Sequence, residues 1–311
     1  MGENRLYDVI IIGGGPAGLS AALILGRCLR SVLIFDTGKP RNHRSKEMHG
    51  FLSRDGVNPL EFLRTGREQL EPYKVEFRPH EAVKARKIDG TFEIEDETGT
   101  TFYCKKLLIA TGILDDIPNI DGIEKLYGSS VFHCPYCDGF EVRLKPLAAY
   151  GHGKSGAGLA LTLTNWSDDV VLCTNGKTLN KEELELLELK DIRIIDKIID
   201  RLEGDGHLLK RIVFNDGSFI ERNALFFTTD QYQRSNIAAL LGCLFTEKGI
   251  IKAGKYQNTS VPGVYVAGDA ARDMQLVMIA AADGAKAAVV INKALQKEER
   301  NLKKIDRVIE H

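Results

Sequence analysis

Six consecutive residues, Gly13-Gly14-Gly15-Pro16-Ala17-Gly18, constrain this chain more than any others. They follow a β-branched run, Tyr7-Asp8-Val9-Ile10-Ile11-Ile12, which reads as a buried parallel strand. They precede Leu19 to Arg27, which has helical spacing. In such a strand–turn–helix unit Gly13 permits the tight turn and Gly15 lets the backbone approach a pyrophosphate. Gly18 lets helix and strand pack closely, with the helix N-terminus facing the phosphates. A second strand, Ser31 to Phe35, ends at Asp36, the offset at which an acid binds the ribose hydroxyls of an adenosine. The other reading of Asp36 is a solvated carboxylate at a strand end.

The pattern recurs, so the chain contains an imperfect internal repeat. Leu147 to Tyr150 reads as a strand, Gly151-His152-Gly153-Lys154-Ser155-Gly156 as the turn, Ala157 to Asn165 as the helix and Asp169 to Cys173 as the next strand. Gly151, Gly153 and Gly156 are a possible second nucleotide site. The support is thinner here. Leu172-Cys173-Thr174-Asn175-Gly176 offers no acid for a ribose diol and no arginine cluster for a 2′-phosphate, leaving Lys177 alone. Binding of NADPH or NADH is left open.

Between the two copies lies His133-Cys134-Pro135-Tyr136-Cys137-Asp138-Gly139. A C-x-x-C beside Rossmann-type units reads first as a redox pair, with half of a zinc site as the rival. No second C-x-x-C or H-x-x-x-H appears, and Cys28, Cys104, Cys173 and Cys243 stand singly, so no metal is expected. A helix N-terminus lowers a thiol pKa, and disulfide exchange passes two electrons through the pair. Asp138 adjoins a thiol that must gain or lose a proton, which suits a general acid/base; a helix-start carboxylate is the alternative. His133 and His152 either tune protons or are structural.

The remaining readings bound the context. The chain has 311 residues, enough for about two domains, and a net charge of −1, which provides no basic field for nucleic acid. No run approaches the ~18 apolar residues of a spanning helix, and Val9 to Ile12 is too short for a signal-peptide core. The expected location is therefore the cytoplasm, with no membrane partner. The polar loop Arg41-Asn42-His43 to Met48-His49-Gly50 either touches a cofactor or is ordinary surface. Further strands are expected at Val75–Phe77, Ala82–Arg86, Thr91–Asp96, Thr101–Cys104, Lys106–Ala110, Ile192–Ile199, Leu209–Phe214, Ser218–Ile220, Ala224–Thr229, Gly249–Lys252 and Gly263–Ala267. Helices are expected at Val57–Gln69, Lys181–Leu189, Ala238–Gly242 and Gln275–Leu295, with a charged, solvated tail at Gln296–His311.

GGGPAG at Gly13–Gly18, ATG at Ala110–Gly112, CPYCDG at Cys134–Gly139 and GVYVAGDAA at Gly263–Ala271 resemble, in order and spacing, the low-molecular-weight thioredoxin reductase family. The resemblance implies an α/β fold of two nested Rossmann-like domains. An FAD domain (1–118 and 247–311) is interrupted by a pyridine-nucleotide-type domain (119–246) that carries the Cys-x-x-Cys. It implies that Gly13, Gly15, Pro16, Ala17 and Asp36 hold the ADP half of FAD, flanked by Ala110, Thr111 and Gly112. Gly268 and Asp269 would bind the ribityl chain, and Gln275 and Leu276 would lie near the isoalloxazine. Arg41, His49 and Val83 complete the cofactor set. Cys137 would face the flavin, Cys134 would exchange with substrate and Asp138 would move protons. A homodimer is implied as well, and a thioredoxin-like protein or small dithiol as partner.

The chain departs from that family where reductases carry a basic HRRxxxR stretch, because here the sequence is Cys173-Thr174-Asn175-Gly176-Lys177-Thr178-Leu179. At the end of the insert, Thr228-Thr229-Asp230-Gln231-Tyr232-Gln233 replaces a close-approach glycine motif. A branch that includes the gliotoxin-type dithiol oxidases works without NADPH, and His49 to Gly56 resembles that branch. The expected function is thus FAD-dependent dithiol/disulfide exchange, running either as reduction of a disulfide by NAD(P)H or as oxidation of a dithiol by oxygen. A non-enzymatic flavin-binding redox sensor is the remaining alternative.

Overall fold

The structure, a computed structural model, describes residues 5–309, with side chains described to 303. Two compact units are present: Met1–Arg41, Leu60–Leu114 and Tyr232–His311 form one, and Asn42–Pro59 with Asp115–Gln231 forms the other. The chain crosses between them four times, at Arg41/Asn42, Pro59/Leu60, Leu114/Asp115 and Gln231/Tyr232, where the sequence reading set two crossings, 118/119 and 246/247. Both are α/β units of Rossmann type.

The first unit is built on a seven-stranded sheet. Leu6–Ile12 lies in its middle, parallel to Val32–Phe35 on one side and Thr101–Ile109 on the other. Its apolar run is continuous because both faces of the strand are covered. Val9 and Ile11 pack with Val32, Ile34 and Leu108 against Ala21, Ala22 and Leu25 of the helix Pro16–Arg27 and Ala287, Ala288 and Ile291 of the helix Val277–Ile309. Ile10 and Ile12 pack on the opposite face with Leu33, Phe35, Leu107, Phe92 and Val264. Each such large side chain contributes about 1.5–3 kcal/mol on burial. The two helices touch backbone to backbone, since a Cβ on Gly284 would lie 1.9 Å from the Ala17 carbonyl oxygen.

The second unit repeats the construction. Five parallel strands run in the order Arg193–Ile195, Val170–Cys173, Leu147–Tyr150, Ala224–Phe227, Val131–Phe132. The helix Gly153–Leu163 follows Leu147–Tyr150, as the repeat predicts. A three-stranded antiparallel sheet, Ile199–Asp205, Leu208–Phe214 and Phe219–Glu221, is added.

Four elements differ from the sequence reading. Thr101–Cys104 and Lys106–Ala110 are one nine-residue strand, Thr101–Ile109. Residues 101–104 pair on one edge with the hairpin strand Thr91–Asp96, and 107–109 pair with Val264–Val266. Lys106 stays in register by burying its stem and holding its ammonium against Glu298. Ile192–Ile199 divides into Arg193–Ile195 and the start of Ile199–Asp205, which belong to different sheets. The break is at Asp196, whose carbonyl accepts from Gly176 N–H (2.6 Å), while Ile199 N–H donates to Asn175 Oδ1 (2.9 Å). Gly249–Lys252 is no strand, because Gly249 turns the chain (φ 74°) and only an isolated bridge, Phe245 to Ile251, remains. The last helix runs unbroken over Val277–Ile309, taking in part of the charged tail. Glu299, one turn-face of it, pairs with Arg30. No described helix is long and apolar enough to cross a membrane.

Asp96 at the end of Thr91–Asp96 is 0% exposed. Burial alone would raise its carboxyl, but donors from Thr98, Thr100 and Arg78 outweigh it and hold it down at about 2. A depressed folded-state pKa adds stability above the unfolded value near 4, and that stability is lost as pH falls toward 2. Asp96→Asn is therefore expected to lower neutral stability by about 1–3 kcal/mol and to flatten the acid limb between these pH values, measured by urea unfolding across pH.

Candidate functional site

The edge strand Val131–Phe132 delivers the chain to His133 and Cys134. Cys134 is extended (φ −120°, ψ 103°) and occupies the capping position of a one-turn helix, Pro135–Asp138. Pro135 suits the first helical position because its φ is preset and no N–H is needed there. Cys137 N–H and Asp138 N–H both donate to the Cys134 carbonyl at 3.2 Å, which closes the turn. The two cysteines form a disulfide, with Cα atoms 5.3 Å apart. Gly139 lets the turn lie flat on Trp166, for a Cβ there would be 2.7 Å from the indole. Both sulfurs are committed to each other, and among the described residues no His, Cys, Asp or Glu cluster could hold a metal. Cys104 and Cys173 are buried, which pushes their thiols up to about 12 and leaves them inert as nucleophiles.

Asp138 is partly buried. Removal from water, reinforced by the charge of Glu141 and opposed by that of His49, raises its carboxyl to about 7. It is thus poised to hold or give up a proton near neutrality. No side chain caps this helix, so Asp138 is no capping residue, although it does lie in the helix's first turn as the helix-start alternative requires. His133 meets the Tyr127 hydroxyl at 2.9 Å and Asp115 at 4.0 Å. His152 is exposed, in extended backbone before Gly153. His49, grouped from sequence with the cofactor residues, lies in the same unit as the disulfide, 3.6 Å from Glu141. Glu141 escaped the sequence reading. Its spacing of three from Asp138 was the available signal.

The glycine turn of the other unit is shaped by steric exclusion. A Cβ on Gly13 (φ 109°) would lie 2.2 Å from the Ala110 carbonyl, and one on Gly18 would lie 1.9 Å from that of Gly13. Gly15 differs, with ordinary backbone (φ −76°) and nothing within 4 Å of where its Cβ would be. It leaves a cradle open at the N-terminus of Pro16–Arg27, where a pyrophosphate fits. Asp36 abuts Gly14, is 16% exposed and pairs with Arg67, so it is not a solvated carboxylate. Thr111 beside Ala110 has a buried hydroxyl with no protein partner. Arg41 joins Asp269 (3.3 Å) to Gln275 (2.8 Å), so three residues assigned from distant parts of the sequence meet. Gly268 (φ 74°) starts the 3₁₀ turn that carries Asp269, and the Leu276 carbonyl accepts from Ala280 N–H as the last helix begins. Val83 lines a cavity of about 540 Å³ with Glu81, Gln233 and Arg234. The open cradle, the acid at its rim and the orphaned hydroxyl fit a bound dinucleotide such as FAD.

Residues 7–284 match the profile of the pyridine nucleotide-disulphide oxidoreductase family. The chain belongs to this family. It is 34% identical to the thioredoxin reductase tcpT of Claviceps purpurea, over 86% of this chain and 88% of that protein. The crystal structure of HlmI superposes with a TM-score of 0.94 at 32% identity, covering 99% of this chain and 100% of that one. An oxidoreductase from Agrobacterium tumefaciens superposes with a TM-score of 0.88 at 31% identity, covering 94% and 99%. Like the family, this chain is a flavin-dependent disulfide oxidoreductase resembling thioredoxin reductase.

Its second glycine turn departs from a family nucleotide site. The backbone scaffold is intact: a Cβ on Gly156 would lie 2.4 Å from the Gly151 carbonyl carbon, and Gly153 has φ 57°. The cradle, however, is faced by Glu183 of the helix Lys181–Glu188. Its Oε1 is 3.8 Å from where a Gly153 Cβ would be, and the residue is only 8% exposed. A capping box locks it there, with Glu183 N–H donating to Asn180 Oδ1 and Asn180 N–H donating to Glu183 Oε2, each at 2.9 Å. At the end of the next strand, Asn175 spends its side chain on the Tyr150 hydroxyl (3.2 Å) and Ile199 N–H (2.9 Å). The sequence reading found no acid for a ribose diol in Leu172–Gly176 and expected a helix at Lys181–Leu189 without singling out Glu183.

The contrast between Gly15 and Gly18 is testable. Gly15→Ala is expected to leave the melting temperature of flavin-free protein unchanged while cutting bound flavin at least about tenfold, because its methyl enters only the cradle. Gly18→Ala is expected to unfold the unit or strip it of flavin altogether. Visible absorbance per chain and thermal melts check both.

Proposed function

We propose that this flavoenzyme oxidises a dithiol to a disulfide without a pyridine nucleotide. The observation that carries the reading is the buried Glu183 carboxylate at the inserted unit's glycine turn. A helix N-terminus stabilises one anion. With Glu183 already there, a pyrophosphate would meet a like charge in a place poorly screened by water. Asn175, engaged on both its amide atoms, adds no reader for the adenosine end.

In this reading FAD belongs to the segments 1–118 and 247–311, and the insert 119–246 serves as a thiol-exchange module. Gly13, Gly15, Pro16, Ala17, Thr111 and Asp36 hold the dinucleotide half of FAD, and Arg41 fixes Asp269 and Gln275 for the flavin half. When bound, FAD supplies a two-electron acceptor that oxygen can regenerate. The chain's own residues carry the exchange. A substrate thiolate attacks Cys134, the Cys134–Cys137 bond breaks, and Cys137 leaves as a thiolate that takes a proton from Asp138. The second substrate thiol then displaces Cys134, so the substrate leaves as a disulfide and the protein holds two thiols. A thioredoxin-like protein or a small dithiol supplies such thiols. A homodimer and a reducing compartment, which suits four unpaired cysteines, complete the proposal.

Anaerobic titration tests the direction. Dithiothreitol is expected to bleach the flavin with one dithiol per flavin, while NADPH and NADH at millimolar concentration leave it yellow. Stoichiometric bleaching by either nucleotide would overturn the reading. Cys134→Ser is expected to lose dithiol-driven bleaching and keep its FAD. Glu183→Gln retains the capping box, and is expected to tighten NADPH binding at least about tenfold in calorimetry.

A further inference from the structure

Three polar side chains of the first unit, Gln257, Arg272 and Asp283, form a cluster that takes no part in thiol exchange. Gln257 is 0% exposed and Asp283 8%. Arg272 Nε donates to Asp283 Oδ2 at 2.6 Å, and its Nη2 donates to Asp283 Oδ1 and to Gln257 Oε1, each at 3.1 Å. Gln257 Nε2 donates to Asp283 Oδ1 at 2.5 Å. Both carboxylate oxygens and both amide atoms are thus engaged. Gln257 also holds left-handed backbone (φ 61°), which costs a residue other than glycine about 1–3 kcal/mol and persists only where the surroundings over-determine it. Here its N–H donates to the Gly254 carbonyl (3.0 Å) and its carbonyl accepts from Val266 N–H (2.9 Å).

The cluster is tied at both ends to residues of the dinucleotide site. Asp283 precedes Gly284, where the last helix meets the backbone of Ala17 at the start of Pro16–Arg27. Arg272 follows the 3₁₀ turn Gly268–Ala271, and its N–H donates to the Asp269 carbonyl at 3.4 Å. The Arg272 carbonyl accepts from Gln275 Nε2, also at 3.4 Å. Gln275 Oε1 accepts from Arg41, which reaches Asp269 in turn. One hydrogen-bonded path therefore runs from Asp283 through Arg272 to Gln275, Arg41 and Asp269. The glycine turn itself does not depend on it, since Gly13 and Gly18 are confined by the carbonyls of Ala110 and Gly13.

We propose that Asp283, acting through Arg272 and with Gln257 as its brace, is a positioning residue that keeps Asp269 and Gln275 in register with the Gly13–Gly18 turn, so that the flavin half of FAD is gripped along with its ADP half. The inference rests on the cofactor placement above, with Asp269 and Gln275 on the flavin half, and extends it. Groups that touch a ligand hold it well only when a surrounding layer of hydrogen bonds fixes their own positions. A buried ion pair suits that task, because removing one partner leaves the other charge uncompensated and free to draw its segment out of place. Loss of the Asp283 charge releases Arg272, and with it the segment that carries Gln275. The ADP half keeps its contacts, so the damage falls on one end of the cofactor.

The test dilutes the FAD-loaded full chain and follows flavin release by fluorescence, with and without ADP as competitor. Release gives the dissociation constant of FAD, and competition gives that of ADP on the same protein. Asp283→Asn keeps the shape and removes the charge, and is expected to weaken FAD about tenfold while leaving ADP within about twofold. Arg41→Gln cuts the same path at its other end and is expected to give the same split, with the double variant within about twofold of the weaker single one. Thermal melts establish that the variants are folded, and Arg272→Gln, at the more exposed end of the cluster, serves if Asp283→Asn is not. Weakened FAD with unmoved ADP supports the proposal. Unchanged FAD binding, equal weakening of both ligands, or additive losses in the double variant overturn it. ADP that fails to displace FAD from the unaltered protein would instead overturn the placement of the dinucleotide half itself.

Discussion

Everything in the two units turns on how closely a helix can approach the strand before it. In the first, Gly18 lies so near the Gly13 carbonyl that only hydrogen fits between them, and the same contact recurs between Gly156 and Gly151. That approach aims a helix N-terminus at the end of a sheet and leaves unpaired backbone N–H groups there. What fills the space then decides function. At Gly15 no protein atom lies within 4 Å of where a Cβ would be, which in the reading proposed here leaves room for an anionic cofactor. At Gly153 a carboxylate of the chain itself is already present. In the reading proposed here, one scaffold thus serves a binding site in one unit and a structural carboxylate in the other.

The redox pair uses the same local physics on a smaller scale. A single helical turn brings Cys134 and Cys137 within bonding distance and places Asp138 beside them in partial burial. The protein contains other cysteines, but burial holds Cys104 and Cys173 in the unreactive thiol form. Burial thus separates the exchanging pair from Cys104 and Cys173. Charge around Asp138 is balanced rather than maximised, with one acid and one imidazole pulling its titration in opposite senses.

Local periodicity and turn chemistry made much of this legible in the sequence. The Tyr7–Gly18 unit, its repeat at Leu147–Gly156 and the Cys-x-x-Cys were readable because each depends on a few adjacent residues whose conformational needs are specific. Arg41, Asp269 and Gln275 were each named through the family resemblance, and the structure brings them into one hydrogen-bonded group. Contacts that depend on distant chain segments were not legible. Glu183 looks like any acid on an amphipathic helix until its helix packs beside Gly153. His49 looks like a loop residue until the fold brings it 3.6 Å from Glu141. The Thr101–Ile109 strand was cut in two because Lys105-Lys106 breaks the apolar pattern, while in the fold Lys106 buries its stem and keeps the ladder intact.

Oxygen uptake by the flavin-loaded protein supplied with dithiothreitol, in the presence and absence of NADPH, is the most direct measurement of where the electrons enter. The account predicts one hydrogen peroxide for each disulfide formed and a rate indifferent to NADPH. Oxygen uptake that requires NADPH, or NADPH-driven reduction of a protein disulfide, would contradict it.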